Sequence, residues 1–285
     1  MAALWPIAIL ALVQGITEFL PISSSGHLIL TWGAFDHYGV PVTARTGGDR
    51  LILDIAVHVG TLFAVMLYFW RDVGRMIGGF AKLLAFRMTA GGRLFLLLVV
   101  GTIPVVVAGF LGDRFGVIDM LRTVEVIAWA SIVFGVLLYA VDLRSMTLQR
   151  MEHTTFGGIL FIGLAQVLAL IPGTSRSGIT MTAARFLGFE RSDAARLSML
   201  LSIPTILGAG TLAGKKLYDT GNVALGLDAL IAAGLSFLSA LLAIALMMAW
   251  LRRASFTPFV IYRVLLGLFI LYLIYFAGVS LPVAA

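Results

Sequence analysis

The chain has 285 residues, 60% hydrophobic and only 12% charged, with a net charge of +6 and no cysteine. A soluble domain carries roughly a quarter charged residues, so this balance excludes one and points to an integral membrane protein. The basic residues sit in short loops between apolar spans, where they set orientation, which excludes a nucleic-acid partner; the missing cysteines exclude disulfides and thiol chemistry.

No Lys or Arg precedes Arg45, so the N-terminus lacks the basic region of a cleavable signal peptide and is expected in the mature fold. Residues 3 to 35 are apolar but are interrupted by Pro21, Gly26 and the polar run QGITEFLPISSSGH at 14 to 27. Largely apolar stretches then predict spanning helices near 52 to 70, 94 to 112 and 122 to 141, the second of them uncharged throughout. Residues 156 to 188 are again broken, at Pro172-Gly173, and carry Arg176 and Arg185. Three further spans are predicted near 196 to 213, 226 to 250 and 257 to 277. Strand-like alternation is absent, so the spans are helices. Backbone groups freed by Pro and Gly are tolerated at membrane depth only inside protein or along a water-filled cavity, so both broken regions are expected to be re-entrant helical hairpins.

The two hairpins share a pattern. QGITEFLPISSSG (14 to 26) and QVLALIPGTSRSG (166 to 178) have equal length, start with Gln and end in Ser-x-Ser-Gly. A hairpin followed by three spans occurs in both halves, about 3 to 141 and 156 to 277. Three is an odd number, so the second copy lies inverted. The fold expected is therefore a single all-α polytopic membrane domain over 1 to 285, with six transmembrane helices and two re-entrant hairpins in an inverted repeat. Placing the 71 to 93 loop in the cytoplasm puts eleven basic residues, from Arg71 to Arg253, on that side. The other side has six, Arg45, Arg50, Arg114, Arg122, Lys215 and Lys216. The excess places the mouth of the first hairpin outside.

An Asp or Arg at the centre of a spanning helix costs roughly 2.5–3.5 kcal/mol on insertion scales, so ionisable residues here ask for a function. Glu18, His27 and Arg176 are the leading candidates, and together they suit a phosphate. Arg176 offers a planar fork of donors, and the hydroxyls of Ser23, Ser24, Ser25, Thr174, Ser175 and Ser177 add neutral ones. Broken helices aim backbone amides at an anion. His27 can move a proton and a serine beside it can attack phosphorus. Glu18 can orient the histidine, act as a base or hold a divalent metal, and the sequence leaves all three open. Asp54 and His58, one turn apart, share a face as groups behind the site or as snorkelling residues. Trp32, Trp70 and Trp250 are expected to anchor helix ends, and Met181, Met199, Met247 and Met248 to pack. Arg263, inside the last span, is expected to pair with a carboxylate or to snorkel.

QGITEFLPISSSGH and PGTSRSG resemble the signatures of the bacterial undecaprenyl-diphosphate phosphatase family, also called the BacA or UppP bacitracin-resistance family. LDIAVHVGTL at 53 to 62 and SFTPFVIYR at 255 to 263 extend the likeness over nearly the whole chain. The resemblance implies hydrolysis of undecaprenyl diphosphate to undecaprenyl phosphate and inorganic phosphate in the bacterial plasma membrane. It thereby implies recycling of the lipid carrier for cell-wall polymers, and a site facing the periplasm or exterior. It matches Glu18 to the second acidic residue of the first motif, Ser24 and His27 to the nucleophile and acid/base, and Arg176 to the arginine of the second. It further implies a divalent cation, magnesium or calcium. Gln14 stands where the family also allows Glu, which weakens a two-carboxylate metal site built from 14 and 18 and leaves Gln14 as a substrate donor and the metal held by Glu18 and the diphosphate itself. A homodimer is among the expected assemblies. The competing reading is a lipid-phosphate flippase or anion transporter on the same plan.

Overall fold

The computed structural model describes residues 4–42, 46–220 and 223–276, without the side chains of 209 and 212–224. Among them the only extended pairing is one isolated bridge, Gln149 to Phe189; the rest is helix and turn. In chain order the helices are α1 (Leu4–Thr17), α2 (Ser24–His37), α3 (Gly47–Tyr68), α4 (Trp70–Leu84), α5 (Ala90–Arg114), α6 (Val117–Leu121) and α7 (Val124–Arg144). There follow α8 (Phe156–Gln166), α9 (Arg176–Phe186), α10 (Arg191–Thr220), α11 (Val223–Leu251) and α12 (Thr257–Tyr275).

Five of these, α3, α5, α7, α11 and α12, are long and apolar enough to cross a membrane, as a multi-pass protein requires. Side chains such as Phe63, Val106, Leu242 and Leu265 stand out from them with more than half their surface free, a pattern that lipid satisfies. The sixth expected span, 196 to 213, lies within α10, whose 30 residues are long enough but which is not among the five. Arg45 and the side chains of Lys215 and Lys216, counted above for orientation, lie outside the described residues, as does the tail from 277.

Both predicted breaks are present. The first separates α1 from α2 around Pro21; the second separates α8, extended by one 3-10 turn over Val167–Leu170, from α9 around Pro172-Gly173. Gly173 has a φ of +92°, and a Cβ there would lie 2.4 Å from the Ile127 carbonyl oxygen, so no other residue fits that turn. Each broken pair leans on a span from the opposite half, α1 on α11 and α8 on α5. Two more seams, α3 with α11 and α7 with α12, join the halves. At Gly60 the α3 backbone comes so close to Ala233 of α11 that a Cβ would sit 2.1 Å from its carbonyl oxygen.

The segment read as a loop, 71 to 93, is largely helix α4. Trp70, Ile77, Phe80 and Leu84 are exposed on one side, Met76 and Gly79 pack on α5, and Arg71, Arg75 and Lys82 lie on another side. The charges hid a helical period that suits a membrane interface. Its first turn is tied to α10 by Arg196, which grips Asp72 at 2.9 and 2.5 Å. At that same end Asp142 binds the buried Arg185 (2.8 Å) and Arg191 (2.9 Å). Arg50 grips Asp36 at the other end.

Candidate active site

The two breaks place two helix starts face to face. Ser23 caps α2 by accepting from the Gly26 amide, and Ser175 caps α9 by accepting from the Gly178 amide. Both caps have positive φ, 74° and 71°, a conformation that costs a non-glycine residue ~1–3 kcal/mol and is kept where geometry matters. Ser24 and Arg176 are thus the first helical residues of their respective helices, beside free amides suited to an anion.

Glu18, 6% exposed, joins them. Its Oε1 accepts from Arg176 Nη2 at 2.9 Å; its Oε2 accepts from Gln14 Nε2 at 2.8 Å and from Ser24 Oγ at 2.7 Å. Arg176 also donates to the Ser198 carbonyl at 3.1 Å. His58 Nε2 stands 3.6 Å from Glu18 Oε2. A buried carboxylate is costly unless it is paired and hydrogen-bonded, and here it is both. Glu18, Ser24, Ser25, His58, Ser175, Arg176 and Thr205 line a cavity of about 260 Å³. Beyond it a vestibule of about 810 Å³, with Arg50, Asp54, Asp113, Asp119 and Arg122 in its wall, shares Ser25, Ile55, His58 and Ala169 with the cavity.

Most expected residues converge, but several take other posts. Gln14 is wholly buried and serves Glu18, outside the cavity lining. Ser177 donates to the Leu20 carbonyl, tying one hairpin to the other at 2.9 Å. Thr174 is buried, with its hydroxyl unpartnered and its carbonyl taken by Arg263. Ser23 acts as a cap, while Ser175 caps and also lines the cavity. Asp54 and His58 are expected behind the site, but Asp54, which accepts from Trp32 Nε1 at 2.8 Å, lines the vestibule, and His58 lines both vestibule and inner cavity.

Three expectations change. His27 is not bonded to Ser24: its Nδ1 meets the Ser23 carbonyl at 2.7 Å and its Nε2 meets the Tyr262 hydroxyl at 2.6 Å, with the two rings stacked. The partner of Ser24 is Glu18. Trp32 is 2% exposed, so it is a core residue and not an interface anchor, unlike Trp70 at 62% and Trp250 at 46%. Arg263 neither snorkels nor meets a carboxylate. It is fully buried and donates to the carbonyls of Pro21 (3.2 Å), Gly173 (3.0 Å), Thr174 (2.8 Å), Ser131 (3.1 Å) and Ala130 (3.4 Å). One guanidinium thereby holds both breaks against α7. The signal was its lone charge in an apolar run, while the carbonyl partners leave no mark in sequence. Thr205, a hydroxyl on a mostly apolar helix, gave no signal at all.

The protein side chains alone do not make a divalent-cation site at Glu18. Both carboxylate oxygens are engaged by donors, one of them a guanidinium. Among the described residues no three His, Asp or Glu side chains converge, where such ions want several oxygen ligands. No step below runs through a metal.

A family profile described as "Bacitracin resistance protein BacA" matches residues 7–269. The chain is 48% identical over 274 residues to an undecaprenyl-diphosphatase of Jannaschia sp. (strain CCS1), covering 96% of this chain and 99% of that protein. It is 52% identical over 271 residues to undecaprenyl-diphosphatase 1 of Rhodospirillum rubrum, covering 94% of each. With the Ruegeria pomeroyi undecaprenyl-diphosphatase it shares 47% identity over 274 residues, 96% of this chain and 99% of that one. With a profile match over most of its length and relatives near half identical, the chain belongs to the BacA bacitracin resistance protein family.

Proposed function

We propose that this protein is a membrane phosphatase that hydrolyses undecaprenyl diphosphate to undecaprenyl phosphate and inorganic phosphate, returning the carrier lipid to cell-wall synthesis and so conferring bacitracin resistance. The observation that carries the reading is the meeting of Ser24 and Arg176, from breaks far apart in the chain, on the single carboxylate of Glu18. A hydroxyl bonded to a carboxylate at 2.7 Å is a nucleophile with its base in place. A guanidinium and two helix starts meet the charge that develops on a transferring phosphoryl group.

In this mechanism the terminal phosphate enters the inner cavity, and Ser24 Oγ attacks its phosphorus while Glu18 takes the serine proton. The bond from that phosphorus to the bridging oxygen breaks, and the lipid monophosphate leaves. Water then attacks the phosphoserine, Ser24 Oγ takes its proton back from Glu18 as it leaves phosphorus, and inorganic phosphate is released carrying the water's oxygen and protons. His27 fastens the first hairpin to α12 through Tyr262.

The same reading takes α10 as the sixth span and the broken pairs α1–α2 and α8–α9 as re-entrant hairpins of an inverted repeat. The exchange of partners between halves supports it, α1 resting on α11 as α8 rests on α5. The vestibule opens at the end that carries Arg50, Asp113 and Arg122, which the charge balance places outside, facing the periplasm or cell exterior. Cross-linking in native membranes tests the expected homodimer.

Phosphate release from a long-chain polyprenyl diphosphate by detergent-purified protein tests the function, and a chelator arm tests the expected magnesium or calcium. Movement of lipid across vesicles without phosphate release would favour the transporter reading instead. Cysteines introduced at Gly47 and Gly79 test orientation: an impermeant thiol reagent on intact cells should reach the first and not the second.

A further inference from the structure

A diphosphate needs two anion seats in series, and the phosphatase reading fills only the inner one. The cavity holding Glu18, Ser24 and Arg176 is small, and the substrate's second phosphate, which carries the lipid, must sit nearer the vestibule. Two polar side chains line both spaces, Ser25 and His58.

His58 is built for such a post. Its Nδ1 lies 2.6 Å from the Asp54 backbone carbonyl, which can only accept, so Nδ1 carries a proton and the ring is fixed. Asp54 is itself held by Trp32. The other nitrogen, Nε2, makes no hydrogen bond; it stands 3.6 Å from Glu18 Oε2, and the side chain is 29% exposed. His27 provides the contrast, since both of its nitrogens are engaged, by the Ser23 carbonyl and the Tyr262 hydroxyl. In its imidazolium form His58 donates from both nitrogens, one to its own helix and one to a ligand at the boundary. Ser25, exposed on the first turn of α2, adds a hydroxyl on the same boundary. The apolar side chains of the vestibule, among them Leu28, Ile29, Leu51 and Ile118, suit the start of a hydrocarbon chain.

We infer that His58, with Ser25, seats the lipid-linked phosphate, so that the site selects a diphosphate by holding its two phosphates in separate places. The inference rests on the phosphatase reading and deepens it.

The two reaction products divide between the two seats, which makes the test specific. The lipid monophosphate retains the outer phosphate, and inorganic phosphate is the inner one. Inhibition by each product is measured on the purified full chain and on His58→Leu and His58→Gln. In His58→Leu the inhibition constant of a polyprenyl monophosphate should rise roughly 10- to 100-fold, as for the loss of one charge-assisted hydrogen bond, while that of inorganic phosphate stays put. His58→Gln, which keeps a donor, should recover most of that loss and shows that the site still folds. A rise for inorganic phosphate, or no change for either product, would overturn the assignment. Absence of turnover in the parent protein would instead overturn the phosphatase reading itself.

Discussion

The two hairpins have matching backbones and different chemistry. Each has a serine cap at positive φ, a second serine two residues on, and a glycine after that; Ser23 and Ser25 lie 3.4 Å apart, Ser175 and Ser177 3.1 Å. Where the first has Glu18 the second has Leu170, and where the first has Ser24 the second has Arg176. Gln14 spends its amide on Glu18, whereas Gln166, wholly buried at the matching position, has no partner at either amide atom. In the proposed mechanism the first hairpin carries the base and the nucleophile, the second the cation. Two similar turns thus supply two helix starts, and the proposed reaction needs their side chains to differ.

The sharpest way to break this division is to remove each member in turn. Ser24→Ala should lose turnover by about 10⁴-fold or more, while Ser25→Ala should lose only ~1–3 kcal/mol of binding or transition-state stabilisation. Equal modest losses in phosphate release would eliminate the serine nucleophile and leave Glu18 to activate water. Next, Arg176→Ala should cost about 10³-fold with the fold retained by size-exclusion and circular dichroism. Arg176→Lys should remain poor because a point charge cannot reproduce the fork. A lysine variant with near-normal turnover would mean that charge alone suffices on the second hairpin.

The glutamines give a smaller effect with opposite signs. Gln14→Leu removes a donor from a buried carboxylate, so turnover should fall and stability drop by ~1–3 kcal/mol. Gln166→Leu removes two unsatisfied buried groups, so the thermal midpoint should hold or rise. A destabilised Gln166→Leu would reveal an unseen partner for that amide. The smallest effect tests what the hairpins share. Ser23→Gly and Ser175→Gly each lose a cap bond and relieve a positive φ, so their stabilities should differ from the parent, and from each other, by under ~1 kcal/mol.

How much of this was legible follows from what leaves a trace in sequence. Glu18 and Arg176 announced themselves as charges in oil, and Pro21 and Pro172-Gly173 announced the breaks. The pairing of Ser24 with His27 did not survive. Three residues apart at the start of one helix, they look adjacent, yet the serine turns back to Glu18 and the imidazole turns to Tyr262 on α12. Rotamers of that kind are set by distant elements. Helix α4 was hidden because its charges outweighed its apolar period. Trp32 read as an interface anchor because a tryptophan near a helix end usually is one, whereas here its N–H holds Asp54.

Arg263 carries a consequence for synthesis. Its five carbonyl partners belong to both breaks and to α7, and all of them precede it in the chain. A nascent chain that already contains both turns and α7 still lacks the guanidinium that locks them together. This tie between the two turns therefore becomes available only with α12, after every one of its carbonyl partners has been made.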